Sequence, residues 1–460
     1  MQPVNRLPPE ILSRIAWFVN QFAIDSKFII PLTHVCRYWR ESIVSTPGNW
    51  TSISSKRVSL AKLSLERCQA ASLELWLNMD EVRRNPGFTA LIMPSTQNVE
   101  ALGVHRFSTV GELVQALPDF PQSMPNLRSL SLSGPSYGLE DMSADPLGQS
   151  PIALTHLLLM YLPLYPSFRR LTTLTNLTLF TDRLGLHIDT LLDLLEANRA
   201  LEHATFDVQF EQPAFRDSRR QVGIANHLRS LSMHFNHIAG YNAFISRVPL
   251  QKGAHLKINL RGQNAGLGEV LSGIPVTHLS NLQSPTSMEY RPDDRVIELL
   301  GPNGSFSFYG DPRQTAPFAE FPLFQLTNIK AFRLARPALG LVAPHATLTF
   351  PPLDFPGLET LAIEREIAVP QLLSALFANP SASPSLNTLA FLDCHLDGVC
   401  MEALTKFASD RKKTTSARLY RVVIVSSRQN LPNIAPIDAL VECVPVVDVR
   451  VGKTLPADLF

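Results

Sequence analysis

Cysteine is scarce in this chain. The 460 residues hold five (Cys36, Cys68, Cys394, Cys400 and Cys443), an odd number and mostly far apart. That excludes a disulfide framework and fits a reducing compartment. Charge is also short, at 18 % of residues against the usual quarter or so. Forty-one Lys and Arg against 40 Asp and Glu leave a formal net charge of +1. With no basic excess over the whole chain, neither nucleic acid nor an anionic membrane is an expected partner. No apolar run reaches the ~18 residues of a membrane-spanning helix. The opening residues MQPVNRLPPE lack a basic segment followed by an apolar one, so no secretory leader is expected. The expectation is a soluble protein of the cytoplasm, the nucleus or both. Two catalytic signatures are missing too: there is no P-loop and no G-x-G-x-x-G after a strand. Neither a catalytic residue nor a cofactor is expected, and the chain reads as a non-enzyme. Apolar residues, in contrast, make up 45 %, enough that disorder is not the default.

Those apolar residues are most regularly placed at the N-terminus. Leu7 precedes Pro8 and Pro9, and proline in a first helical turn forfeits no intrahelical hydrogen bond. Ile11, Leu12, Ile15, Phe18, Val19 and Phe22 then recur at the three- and four-residue spacings of an amphipathic helix. Asp25-Ser26 breaks the pattern, and Pro31 permits a second helix with apolar positions Leu32, Val35, Cys36, Trp39 and Ile43. Thr46-Pro47-Gly48 stops it, and Trp50 follows as a large anchor.

The order Leu7, Pro8, Glu10, Ile11, Leu12, Ile15, then Leu32, Val35, Cys36, Arg37, Trp39, Arg40, then Pro47 and Trp50 resembles the F-box. The likeness covers about a ninth of the chain. It implies a small helical module that binds the Skp adaptor of Skp–cullin–F-box ubiquitin ligases and, through it, the cullin scaffold. The residues it implies as Skp-binding are Leu7, Pro8, Ile11, Leu12, Ile15, Leu32, Val35, Cys36, Trp39 and Trp50. The physics suits such a role: so short a module buries little surface alone, and its leftover apolar side chains fit a partner's groove.

After Trp50, Leu60, Leu63 and Leu65 fit a helix, and Leu73, Leu75, Leu77 and Met79 alternate as in a strand. Beyond them a motif L-x-x-L-x-L recurs, starting at Val99, Leu127, Leu154, Leu174, Leu201, Leu228, Ile329, Leu358, Leu386 and Leu419. Such self-similarity marks a repeat array in which each unit needs its neighbours to bury its leucines. HIDTLLDLLEANRA and VPQLLSALFANP, which precede two copies, have helical periodicity. Asn236, Asp182 and Cys394 fall where such repeats place a ladder residue. Residues 250–325 are less regular and read as degenerate repeats with longer loops.

This pattern resembles leucine-rich-repeat F-box proteins, particularly the divergent kind abundant in fungi. The expected fold is therefore an α/β repeat: an all-α F-box over 1–55, a linker helix and first strand over 56–95, and an irregular leucine-rich-repeat solenoid, or horseshoe, over 96–455. An irregular α/β solenoid of another kind is the runner-up.

Side chains of a strand alternate between its faces. With the second and third leucines inward, the residue between them and the one after the third point outward. The latter row reads His105, Ser133, Met160, Phe180, Asp207 and His234, then Glu364 and Leu392. Mixed and partly apolar, it suits a protein client better than nucleic acid. The tempting chemistry elsewhere is thin. His234 with His237, and Cys394-His395 with Cys400, lack the further ligands of a zinc site, so no metal is expected. Cys68 has only Arg67 beside it, too little for an activated thiolate. Two functions stay open: a substrate-recognition adaptor of a Skp–cullin–F-box ligase, or an F-box scaffold or sequestering protein outside the ligase.

Overall fold

A computed structural model describes residues 7–21, 26–134, 145–147, 153–210, 227–235, 238–250, 253–260, 285–291, 296–302, 304–309, 328–335, 355–364, 383–394, 396, 398–413, 418–426, 437–451, 454–456 and 459. The chain is α/β, with mostly parallel strands, and divides into two compact units, Met1–Leu228 and Arg229–Phe460.

The first unit begins with helix α1 (Pro9–Gln21). The second helix expected over Leu32–Ile43 is instead two, α2 (Ile29–Thr33) and α3 (Arg37–Val44). They are separated by a turn in which the His34 and Val35 amides donate to the Pro31 and Leu32 carbonyls. Leu12, Ala16, Ile29, Trp39, Ile43 and Trp50 form the core of this module, none more than 8 % exposed. Polar contacts close it. The Tyr38 hydroxyl donates to the Leu7 carbonyl at 2.8 Å, and the Trp50 indole N–H donates to the Ile43 carbonyl at 3.2 Å. The Arg67 guanidinium, on helix α4 (Val58–Cys68), lies 4.4 Å from the centre of the Trp50 ring, so Trp50 joins the module to α4.

Strand β1 (Ser52–Ser54) pairs in parallel with β2 (Leu73–Asn78), so the residues just after Trp50 already belong to the sheet. Helices α5 (Met79–Arg84) and α6 (Gly87–Ile92) lead to β3 (Val99–His105). After it, β4 (Ser129–Ser133), β5 (His156–Met160), β6 (Asn176–Leu186) and β7 (His203–Phe210) pair in parallel, each with the next. Strands β4 to β7 each start two residues after the first leucine of a motif. The second and third leucines stack across them: Leu130, Leu157, Leu177 and Ala204 in one row, Leu132, Leu159, Leu179 and Phe206 in the next, all buried. Two further helices are described in this unit, α7 (Val110–Ala116), capped by Thr109, and α8 (Ile188–Ala197), which falls within the stretch read as helical. Asn198, at the end of α8, is buried: its Nδ2 donates to the Leu194 carbonyl and its Oδ1 accepts the Leu174 amide. Sequence periodicity gave no sign of that link.

In the second unit β8 (Ser230–Phe235) pairs in parallel with β9 (His255–Leu260), with α9 (Ile238–Ile245) between them in the chain. Within 250–325, where degenerate repeats were expected, the described residues between 287 and 309 depart from a parallel repeat. Strands β10 (Ser287–Arg291), β11 (Val296–Gly301) and β12 (Gly304–Tyr309) form an antiparallel meander, with β12 parallel to β9 and β10 parallel to the next repeat strand. The short connections, two residues between β11 and β12, permit only antiparallel pairing. The parallel series then resumes as β13 (Ala331–Ala335), β14 (Thr360–Glu364), β15 (Thr388–Leu392), β16 (Arg421–Ser426) and β17 (Val446–Val451). Helices α10 (Gly398–Lys413) and α11 (Ile437–Val441) lie between its last members in the chain. The carbonyls of Lys330, Glu359, Asn387 and Tyr420 accept from the amides of Glu359, Asn387, Tyr420 and Val446, a ladder running from one repeat to the next. The helical stretch expected at VPQLLSALFANP lies outside the described residues.

Candidate binding faces

The outward row expected at the strand ends is assembled in the first unit. His105, Ser133, Met160 and Phe180 occupy neighbouring positions on β3 to β6, and Asp207 follows on β7. The first four are half-buried, whereas Asp207 is only 5 % exposed. The expectation that Asp207 presents itself to a client is therefore corrected.

Alternation also points to the residue between the second and third leucines, and there the structure adds Trp76 and Leu158, both half-buried. Trp76 lies beside Gly103 in register, and its ring stacks on His105 with centroids 5.7 Å apart and planes 4° from parallel. Glycine at 103 lets the ring come this close, since a Cβ there would collide with Cε3 and Cζ3 of the indole where it now lies. Trp76, Leu158, Met160 and Phe180 thus supply the apolar part of this face. Burial, and secondarily the Lys56 ammonium, holds the His105 imidazole below its ordinary pKa. The signal for Trp76 was a lone glycine within a strand pattern, one strand away from it.

In the second unit His234 is half-buried beside Asn259 of β9. Glu364 and Leu392, expected to be exposed, are 8 % and 3 % exposed and are corrected likewise. Glu364 is bound by Arg333 at 2.6 Å, and Leu392 belongs to an apolar cluster.

Within the N-terminal module, burial divides the ten residues expected to contact the adaptor. Leu12, Trp39 and Trp50 are at most 8 % exposed and build the module's own core. They hold the fold and are not surface contacts. Pro8, Ile11 and Val35 are exposed, while Leu7, Ile15, Leu32 and Cys36 are half-buried. Trp17 and Phe18 of α1 and Phe28 before α2 are exposed by 51 %, 56 % and 41 %, and the expected set missed them.

Among the described residues no three of His, Cys, Asp and Glu are grouped to hold a metal. Cys394 directs its thiol to the Ile363 carbonyl at 3.3 Å, and Cys400 is buried, while His237 and His395 lie outside the described residues. So does Asn236, as does the side chain of Asp182. Burial pushes the Cys68 thiol up, the opposite of an activated nucleophile. A cleft of about 1130 Å³ near the start of α4 is lined by Lys56, Arg57, Lys62 and Arg84 above Phe88, with no carboxylate, histidine or cysteine to form an acid–base pair. No described helix is long and apolar enough to cross a membrane.

No family model matches the chain, and no curated protein does.

Proposed function

We propose that this chain is a substrate-recognition adaptor of a Skp–cullin–F-box ubiquitin ligase. Its N-terminal module is the F-box, and its parallel strands form a divergent leucine-rich-repeat solenoid that holds a protein client. The chain itself performs no covalent chemistry. A partner enzyme transfers ubiquitin, and the adaptor contributes proximity by raising the client's effective concentration near it.

The observation that carries this reading is the apolar surface on so small a module. Ile11 and Val35 are 44 % and 54 % exposed, with Trp17, Phe18 and Phe28 alongside, although the module has a filled core beneath them. A half-exposed Ile or Val still has roughly 1 kcal/mol of transfer free energy to gain by burial, and a helix with such a face is suited to a hydrophobic groove. The outward strand positions at Trp76, Leu158, Met160 and Phe180 support a protein client in the same way.

The test is binding of recombinant Skp adaptor to the wild type and to an Ile11→Asp, Val35→Asp variant, measured by calorimetry. Both side chains are exposed, so the variant should keep the wild-type circular dichroism and lose at least tenfold in affinity. A wild type that does not bind the adaptor would overturn the proposal, as would a variant that binds equally well.

A further inference from the structure

The outward face of the last repeat strands is not polar. Ala362 on β14, Ala390 on β15 and Val423 on β16 are register neighbours, as are Leu392 and Val425 one step further along the strands. All five are at most 3 % exposed, although the opposite face of the same strands is already filled by Leu361, Ile363, Leu389, Phe391, Val422 and Ile424. A strand buried on both faces needs a second cover. Here Leu459 is buried within the cluster, and Leu455 packs against it. These residues come after β17 and turn back on themselves, the Leu459 amide donating to the Pro456 carbonyl at 3.2 Å.

The strip is bounded on both sides by charge. On one side Arg333 binds Glu364 at 2.6 Å and Glu289 at 3.4 Å. On the other, Asp448 is bound by Arg450 and lies 3.6 Å from Arg421. An aliphatic floor with two small alanines, fenced by ion pairs, has the anatomy of a protein recognition site, an apolar centre within a polar rim. The seated segment supplies the chemistry of the occupant. In Thr454-Leu-Pro-Ala-Asp-Leu459 two leucines four residues apart enter the strip.

We propose that the outward face of β14 to β16 is a binding groove for a short leucine-bearing peptide segment of a partner protein, and that the chain's own C-terminal segment around Leu455 and Leu459 occupies it in competition. The inference is independent of adaptor binding by the N-terminal module. A tethered competitor acts at an effective concentration of roughly 1 mM. If the free segment binds with a Kd of about 100 µM, the tether lowers a partner's apparent affinity about tenfold.

The experiment uses the full-length chain and a fluorescein-labelled peptide of residues 454–460. The wild type is compared with a Leu455→Ser, Leu459→Ser variant, which frees the segment without cutting it. The variant should bind the peptide about tenfold more tightly by fluorescence anisotropy, and a peptide with both leucines changed to Ser should not bind. Adding Leu392→Asp to the variant should abolish binding. A folded variant that takes no peptide, or binds it no better than the wild type, would refute competition. Should the variant lose its cooperative melt, a chain ending at residue 453 is assayed with the peptide in excess. Restored melting and binding upholds the proposal, and continued unfolding shows an integral part of the core and overturns it.

Discussion

Replacing Gly103 by Ala introduces one methyl group where the Trp76 indole now lies. The new Cβ would collide with two ring carbons and stand 3.1 Å from a third, Cδ2. Either the strand yields, at the ~1–3 kcal/mol of an overpacked contact, or the ring leaves. Because Trp76 is only half-buried, the ring can leave, forfeiting its stack on His105, worth about 0.5–1.5 kcal/mol. The cheaper route sets the cost, so Gly103→Ala should destabilise by about 1 kcal/mol. In a Trp76→Ala background nothing obstructs the methyl group, and the alanine should stabilise by roughly 0.5 kcal/mol through lost chain entropy. A double-mutant cycle, followed by urea denaturation with far-ultraviolet circular dichroism, should therefore show a coupling of about 1.5 kcal/mol. Release of the ring also uncovers His105, whose pKa should rise toward its ordinary value in an NMR titration. Additivity within roughly 0.3 kcal/mol, with an unmoved His105, would refute the close approach of Trp76 to Gly103.

His105 gives a pH dependence of defined sign. Its folded-state pKa is depressed, so as pH falls through about 6.5 the unfolded chain takes up a proton that the folded chain refuses, and stability declines. The melting temperature of the wild type should fall relative to His105→Asn between pH 7.5 and 5.5, and a constant difference would contradict this. Cys68 is buried with a raised pKa, so in the native protein at pH 7.5 it should resist iodoacetamide until denaturant is added. Mass spectrometry of the labelled peptides decides, and rapid native labelling would argue against a structural thiol.

Sequence alone places the repeat strands and the face on which each leucine lies. Apolar alternation is local information, and strands β4 to β7 begin two residues after Leu127, Leu154, Leu174 and Leu201 because each motif carries its own inward pair. The row from His105 through Ser133 to Phe180 followed from the same alternation, once parallel pairing brought equal motif positions together. Alternation assigns a side, however, and does not say whether anything covers that side. It took the three-dimensional fold to put Leu392 in one buried cluster with Leu459, to bind Glu364 to Arg333, and to turn Trp50 inward against Arg67. In each case the partner comes from a separate element, on a neighbouring strand, helix or returning segment, with no periodic relation to the motif. The same reason hid the meander from β10 to β12, in which the repeat spacing fails. A leucine records its own preference for burial, whereas its burial depends on where the rest of the chain returns.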